Sequence, residues 1–178
     1  MINLRNGVLS MLAAGTLAGC SSQSLTLGSN DPCTDLKAVV ADYPSGFSDF
    51  RGKANQFNLL TIYAAKRELI EGHCEIWAWN QADAAYVCTA NAPNVDVADA
   101  RWEKADRAVS QCLGESWQRQ EQARTRNEDA AGHLVRYTRD GTPAVISIHS
   151  IVRKGGPRDR LSTSLYVGSP ARVNELTQ

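Results

Sequence analysis

The chain has 178 residues, with 19 basic and 19 acidic side chains and no net charge. This balance argues against a general nucleic-acid binder, which carries a basic surplus. A content of 43% hydrophobic and 21% charged residues excludes both a disordered chain and a multi-span membrane protein, and the length suits one domain of ordinary size.

The first 19 residues have the pattern of an export signal. Arg5 supplies a short positive region, and residues 7–17 form an uncharged apolar stretch that is too short to span a bilayer. The segment ends in Leu17-Ala18-Gly19-Cys20, which resembles the lipobox of bacterial lipoproteins. The resemblance implies cleavage before Cys20 and its lipidation, so the membrane is a partner through the lipid anchor. The alternative is an ordinary secretory signal in which Cys20 stands at this place by accident.

Residues 20–30 form the lipidated cysteine and a small, polar, uncharged segment typical of a flexible tether. The ten residues after Cys20 reach at most about 33 Å when fully extended. In Gram-negative lipoproteins a neutral residue after the lipidated cysteine, here Ser21, implies transfer to the outer membrane. For a Gram-negative source we therefore expect anchoring in the inner leaflet of the outer membrane, with a single domain of residues 31–178 facing the periplasm.

Four cysteines remain after Cys20 is set aside: Cys33, Cys74, Cys88 and Cys112. In an exported domain they most simply form two disulfides, for which three pairings are possible. Residues 74–79 and 85–88 resemble two strands around a turn, and pairing them about Gln81 sets Cys74 opposite Cys88. The other two cysteines would then join two helices. We expect no metal and no cofactor, because the sequence contains no C-x-x-C spacing and its histidines are scattered.

The first half of the domain begins with a helix. Asp31 and Pro32 suit its N-cap and first position, and it ends near the Tyr43-Pro44-Ser45-Gly46 segment. Residues 56–70 fit both a strand and a helical stripe, and we favour a strand over 58–66 because a hairpin follows and needs neighbours.

The second half begins with the clearest helix, which follows residue 94 and ends near Gly114. Residues 118–131 are almost wholly polar and suggest a solvated helix extension or a mobile loop. Strands are predicted at 134–139, at 144–152 as a central strand, and at 161–167 as an edge strand. The predicted fold is α+β, in the order α-βββ-α-βββ: an antiparallel sheet of about five or six strands, with two helices packed on one face and disulfides linking the elements.

Two groups of side chains are candidates for binding. Trp77 and Trp79 share one face of their strand and either fill the core beneath Trp102 or form an exposed aromatic platform for a partner or glycan. The densest positive patch flanks a glycine- and proline-containing hairpin tip. It could meet lipid phosphates, an anionic glycan or an acidic partner protein, or could be a solvated tip. The residues of this patch are Arg153, Lys154, Arg158 and Arg160.

No residue is assigned a catalytic role. His149 lies in the most apolar strand beside serines, but the chain lacks a G-x-S-x-G elbow, so a hydrogen-bonded structural histidine is the stronger interpretation. His73 and His133 are expected at the surface. Three glutamates close in sequence could bracket a glycosidic bond, although surface placement near a turn is favoured. They are Glu68, Glu71 and Glu75.

These observations favour a non-enzymatic protein-binding module: an assembly factor, a secretion-system accessory, or an inhibitor or immunity protein. Its expected partner is an envelope protein, and no nucleic acid is expected to bind. The alternative is an envelope hydrolase, or a protein that binds peptidoglycan or another glycan, with His149 or the three glutamates at its site. A pocket with convergent polar groups there would favour the enzyme.

Overall fold

The computed structural model describes residues 31–80, 82–126, 129–155 and 159–177. The predicted signal, Cys20 and the tether lie outside the described residues, as do Gln81 and Arg158. The helices are α1 (Pro32–Ala41), α2 (Val95–Leu113) and α3 (Pro170–Thr177), and two 3₁₀ turns, Tyr43–Ser45 and Ser48–Phe50, follow α1. The strands are β1 (Arg51–Gln56), β2 (Thr61–Ala65), β3 (His73–Ala78), β4 (Ala84–Ala92), β5 (Gln118–Arg126), β6 (Asp129–Thr138), β7 (Val145–Arg153) and β8 (Arg160–Gly168).

The eight strands of the described residues form one antiparallel sheet in the order β1-β2-β3-β4-β8-β7-β6-β5. Two four-stranded meanders meet where β4 pairs with β8, and a helix precedes each meander. The antiparallel sheet with helices is thus confirmed. The predicted count of five or six strands is wrong, because each half has one further strand at an edge of the sheet.

The strands that the sequence pattern missed, β1 and β5, are polar edge strands. β1 has the sequence RGKANQ and is exposed after its first residue, and β5 has the sequence QRQEQARTR. Charged edges discourage pairing with other chains but show little apolar alternation. The described residues of the segment 118–131 are therefore not a helix extension or a mobile loop, since they supply β5 and the first residues of β6. The strand interpretation of 56–70 is confirmed, because β2 lies within 58–66.

One face of the sheet, called the helix face here, is covered by α1 and α2. Apolar side chains of both helices and of six strands form the larger core against this face. The fully buried members include Leu36, Val39, Ile76, Tyr86, Val109, Ile148 and Leu165. Among the described residues, no helix is long and apolar enough to cross a membrane.

The ends of the two main helices form as their sequences predict. The Asp31 carboxylate accepts a hydrogen bond from the backbone N–H of Thr34 at 3.1 Å and caps α1. Asn94 caps α2 in the same way, by accepting from Val97 at 2.9 Å. Gly114 ends α2 with a positive φ of 73°. These local signals fix where each helix starts and stops.

The predicted hairpin register and both disulfides are confirmed. Cys74 lies opposite Cys88 in the β3–β4 ladder, and the two are bonded. Cys33 of α1 is bonded to Cys112 of α2. Because both disulfides and both apolar clusters lie within residues 31–177, this part of the chain carries its own core.

The opposite face, called the groove face, carries a smaller apolar cluster. Trp77 and Trp79 pack there against buried residues that include Tyr166 and Val173 of α3. The prediction that the two tryptophans lie beneath Trp102 is wrong, because Trp102 belongs to the core on the helix face. The prediction of two helices on one face is thus also incomplete: the third helix, α3, lies on the other face.

β8 is a central strand, so the prediction of an edge strand at 161–167 is wrong. It pairs with β4 on one side and with β7 on the other. Its side chains point alternately to the two faces of the sheet, and on the helix face the Thr163 hydroxyl donates to the Ala98 carbonyl of α2 at 3.1 Å. Leu165 is buried on the helix face, whereas Ser162 and Ser164 face the groove described below.

Candidate functional site

The groove face contains a concave site with a volume of about 490 Å³. The sheet bends enough for Arg124 and Thr125 of β5 to line the same groove as Trp77 of β3, although four strands lie between β3 and β5. This volume falls within the range of small-molecule and cofactor sites, roughly 300–1,000 Å³. Side chains from six strands meet in the groove: Trp77, Val87, Thr89, Asn91, Arg124, Thr125, Ala131, His149, Ile151, Val152, Arg153, Arg160, Leu161, Ser162, Ser164 and Tyr166.

Three arginines give the groove a positive charge. Arg153 and Arg160 are direct partners in the β7–β8 ladder, and Arg124 lies on the strand that bends toward them. Like charges directly opposite each other on two strands repel and destabilise the pair. Among the described residues that line the groove there is no Asp or Glu. An anion placed between the arginines would relieve the repulsion.

Hydroxyl and amide groups form the floor of the groove. The Thr89 and Ser164 hydroxyls lie 3.1 Å apart across β4 and β8, within hydrogen-bond distance. Asn91 and Ser162 are partners in the same ladder. These groups can donate to an anion or accept from an amide. The floor therefore suits a polar ligand rather than an aliphatic one.

Trp77 contributes an aromatic wall and is half-buried. Its indole N–H donates to the Glu75 carboxylate at 2.9 Å, and Glu75 also contacts His73. These contacts hold the indole plane in one orientation. A fixed, partly exposed indole can pack against an aliphatic or planar ligand group beside the arginines.

His149 lines the groove but is almost completely buried, with 2% of its surface exposed. Its Nε2 lies 2.8 Å from the Ser147 hydroxyl, so the predicted hydrogen-bonded, buried histidine is confirmed. Burial, together with the positive charges of Arg124 and Arg136, lowers the pKa of His149 to about 3. The imidazole is neutral near neutral pH and is a weak base there.

The low pKa of His149 predicts a loss of stability in mild acid. In the unfolded chain the imidazole takes up a proton near its ordinary pKa of 6.5, whereas in the folded protein it stays neutral down to about 3. Its stabilising contribution is therefore complete above 6.5 and is lost progressively as the pH falls toward 3. From this group alone, we expect the free energy of unfolding to be about 2 kcal/mol smaller at about pH 5 than at about pH 7.

Urea unfolding of the native chain and of His149→Gln at the two pH values measures this contribution, since the variant retains every other titrating group. His73→Gln is the matched control, because His73 is exposed. The same pH dependence in the native chain and in His149→Gln would contradict the prediction.

The structure brings together three of the six residues predicted for binding. Trp77, Arg153 and Arg160 line the groove. Lys154 is exposed beside Arg153 but is not part of the lining. Trp79 lies outside the groove: the Arg172 guanidinium sits 4.1 Å above its ring centre. Arg158, the sixth, is outside the described residues.

The glutamates proposed for the alternative hydrolase do not converge. Glu71 reaches toward Lys104 of α2 at 4.0 Å, on the helix side, whereas Glu75 lies on the groove face beside Trp77. Glu68 is exposed. A pair of carboxylates that flanks one substrate bond requires both groups on the same side of the sheet.

Of the other two histidines, His73 is exposed as predicted, with 67% of its side chain accessible. His133 is not a surface residue: it is half-buried and packs edge-on against Trp102, with ring centres 4.3 Å apart. Within the described ranges, no three His, Cys, Asp or Glu side chains are placed to hold a metal ion.

Sequence reasoning missed Arg124 and the hydroxyl floor. Arg124 lies in the polar segment 118–131, where the sequence gives no indication that β5 bends over the sheet. The serines of β8 could have been found from the sequence, because Ser162 and Ser164 occupy alternate positions of this segment. In a buried central strand such alternation indicates a polar cavity on one side.

Comparison of the chain with protein-family models, with curated proteins and with solved structures finds no match. The functional argument therefore rests on the groove and on the signal predicted from the sequence.

Proposed function

We propose that this chain is a lipid-anchored, periplasm-facing binding module that captures an acidic segment of an envelope partner protein in the groove. The observation that carries the proposal is the convergence of Arg124, Arg153 and Arg160 on one concave surface. Electrostatic complementarity of this kind speeds encounter with an acidic partner and disfavours basic ones. An assembly factor, a secretion-system accessory and an inhibitor-type lipoprotein all fit this role.

The location is part of the proposal. The lipobox at residues 17–20 supports anchoring through Cys20, and Ser21 supports the inner leaflet of the outer membrane in a Gram-negative source. The tether allows the groove to sample partners within a few tens of ångströms of the bilayer, since ten residues reach at most about 33 Å.

Binding fits the groove better than hydrolysis does. Ser147 is fully buried and is not part of the groove lining, so it cannot act as an exposed nucleophile. Its neighbour His149 has a pKa of about 3, far below the value near 7 that suits a general base. The charges that act on this imidazole come from Arg124 and Arg136 and are positive, whereas a catalytic triad uses an acidic group to orient the base.

Fluorescence anisotropy with a labelled peptide of alternating Glu and Ser tests the proposal on the purified chain of residues 31–178. We expect saturable, salt-sensitive binding, and a loss of about 100-fold or more in affinity when Arg124, Arg153 and Arg160 are all replaced by Gln. A hydrogen bond to a charged group contributes about 1.5–3 kcal/mol, so the loss of two such contacts accounts for this factor.

The matched control replaces Lys37, Arg67 and Arg107 by Gln, which removes the same charge from exposed positions outside the groove lining. An equal loss in the control variant would show that net charge alone is responsible and would contradict the proposal. Equal affinity for a peptide of alternating Lys and Ser would also do so. Tighter binding of peptidoglycan fragments, abolished by Trp77→Ala, would favour the glycan-binding alternative.

A further inference from the structure

The β1–β2 hairpin ends in an exposed apolar tip. Leu59 and Phe57 have 82% and 59% of their surfaces exposed, and Val95, at the start of α2, is the third exposed large apolar residue in the described part of the chain. The turn is closed by a hydrogen bond from the Phe57 N–H to the Leu60 carbonyl, at 2.9 Å. Single exposed apolar residues are ordinary, but two on one projecting turn form an apolar patch. Such a patch indicates a site of interaction.

Aromatic and basic residues lie directly behind this tip. A shallow depression of about 350 Å³ is lined by the tip residues together with Tyr63, Trp79 and Arg51. Both aromatic side chains are half-buried, and the Arg51 guanidinium lies 4.6 Å from the centre of the Tyr63 ring. Tyrosine and tryptophan favour the boundary between hydrocarbon and water, since one end of each side chain is apolar and the other is polar.

The charge of the hairpin complements an anionic surface. The hairpin, residues 51–65, contains two basic residues, Arg51 and Lys53, and no acidic one. Lys53 is exposed on β1, the edge strand that leads to the tip. The order from the tip inward is therefore apolar, then aromatic, then basic. This is the order of preferred environments from bilayer hydrocarbon through the interface to the lipid phosphates.

We propose that the tip of the β1–β2 hairpin inserts into the surface of a bilayer that contains anionic lipid. Phe57 and Leu59 enter the boundary of the acyl region, and the exposed Lys53 faces the headgroup phosphates. With the anchor at Cys20 in place, this weak second contact becomes intramolecular and orients the protein on the membrane. The proposal does not depend on the ligand of the groove, and the hairpin can be tested without the anchor.

Co-sedimentation with vesicles tests this contact on the purified chain of residues 31–178. The vesicles contain equal parts of phosphatidylglycerol and phosphatidylethanolamine, and pure phosphatidylcholine vesicles are the comparison. We expect binding to the anionic vesicles and a fall of at least about tenfold in partitioning for Phe57→Ser with Leu59→Ser, since burial of either side chain is worth that factor. Because both side chains are largely exposed, the fold is expected to survive, as circular dichroism would verify.

Two controls match these changes. Val95→Ser removes an exposed apolar side chain from α2 and is expected to leave partitioning unchanged. Lys53→Glu is expected to weaken binding, whereas Arg107→Glu on α2 makes the same charge change away from the hairpin and has a smaller effect.

Fluorescence quenching gives a second measure of the contact. In the membrane-bound protein Trp79 lies close to the lipid, so brominated lipid is expected to quench part of the tryptophan fluorescence. Trp79→Phe is expected to remove the quenched part.

Three results would overturn the inference. The first is no binding of the native domain to anionic vesicles, and the second is equal binding by the double serine variant. The third is a tip-dependent dimer in analytical ultracentrifugation without vesicle binding, which would assign the tip to a second copy of the chain. Replacement of Arg124, Arg153 and Arg160 by Gln separates the two proposals, because it is expected to weaken binding of the acidic peptide by about 100-fold or more while the tip remains intact.

Discussion

Replacement of Trp102 by Ala is expected to lower the free energy of unfolding by about 3–5 kcal/mol. Trp102 is 93% buried, since only 7% of its surface is exposed, and it lies between α2 and the sheet. Its indole N–H donates to the carbonyl of Ile148, on central strand β7, at 3.1 Å. The change leaves a large cavity and removes this bond, so both the packing and the position of α2 are weakened. Urea unfolding at neutral pH measures the loss.

Two further variants separate the effect of lost packing from that of the lost hydrogen bond. Trp102→Phe keeps most of the apolar volume but loses the hydrogen bond, so we expect a smaller loss than for Ala. Trp77→Ala removes the same type of side chain from a half-buried position on the groove face, and its cost should also be smaller. A loss below about 1 kcal/mol for Trp102→Ala would show that α2 is held by its other contacts.

The parts of the fold that the sequence predicts are those with strong local signals. The Cys74–Cys88 register follows from a short turn and two strands with matched alternation, and the ladder has this register. The cap at Asp31 follows from the preference of a carboxylate for free N–H groups at a helix start. Each of these interactions joins residues close in sequence, so the pattern contains all the information needed.

The edge strands and the position of β8 depend on distant partners. β5 is polar along its length, and only its ladder with β6 makes it a strand. β8 has the pattern of an edge strand, but it lies between β4 and β7, and the hydroxyls of Ser162 and Ser164 face a cavity instead of open solvent. Alternating residues show that a strand has two different faces, but they do not show what covers each face.

Only part of the groove was predicted, because the sequence pattern of a strand does not show which distant strands lie beside it. Arg153 and Arg160 are near neighbours across a hairpin, so their cluster is visible in the sequence. Arg124 and Trp77 come from β5 and β3 and reach the groove only because the whole sheet bends. The basic patch predicted at a hairpin tip is thus one side of a concave site, and its partners there come from strands far apart in sequence.

Removal of the Cys33–Cys112 disulfide, by replacing both residues with Ala, is expected to destabilise the domain more than removal of Cys74–Cys88. The two bonds close loops with sequence separations of 79 and 14 residues. In the chain-entropy model the longer loop contributes about 4.5 kcal/mol and the shorter one about 3 kcal/mol, because the longer loop restricts the unfolded chain more strongly. Urea unfolding of the two double-alanine variants under identical conditions measures the difference, expected to be about 1.5 kcal/mol.

The contacts of the folded protein also predict a larger loss of stability when Cys33–Cys112 is removed. Cys74 and Cys88 are neighbours in a continuous ladder of six residue pairs, which keeps their strands aligned without the bond. Helix α1 instead depends on Leu36, Val39 and a few partly buried side chains for its contact with the core. Without Cys33–Cys112, α1 should therefore be the first element to lose protection in hydrogen exchange. An equal or larger cost for the Cys74–Cys88 variant would contradict both arguments, and would mean that β3–β4 pairing, rather than α1 docking, limits the stability of the domain.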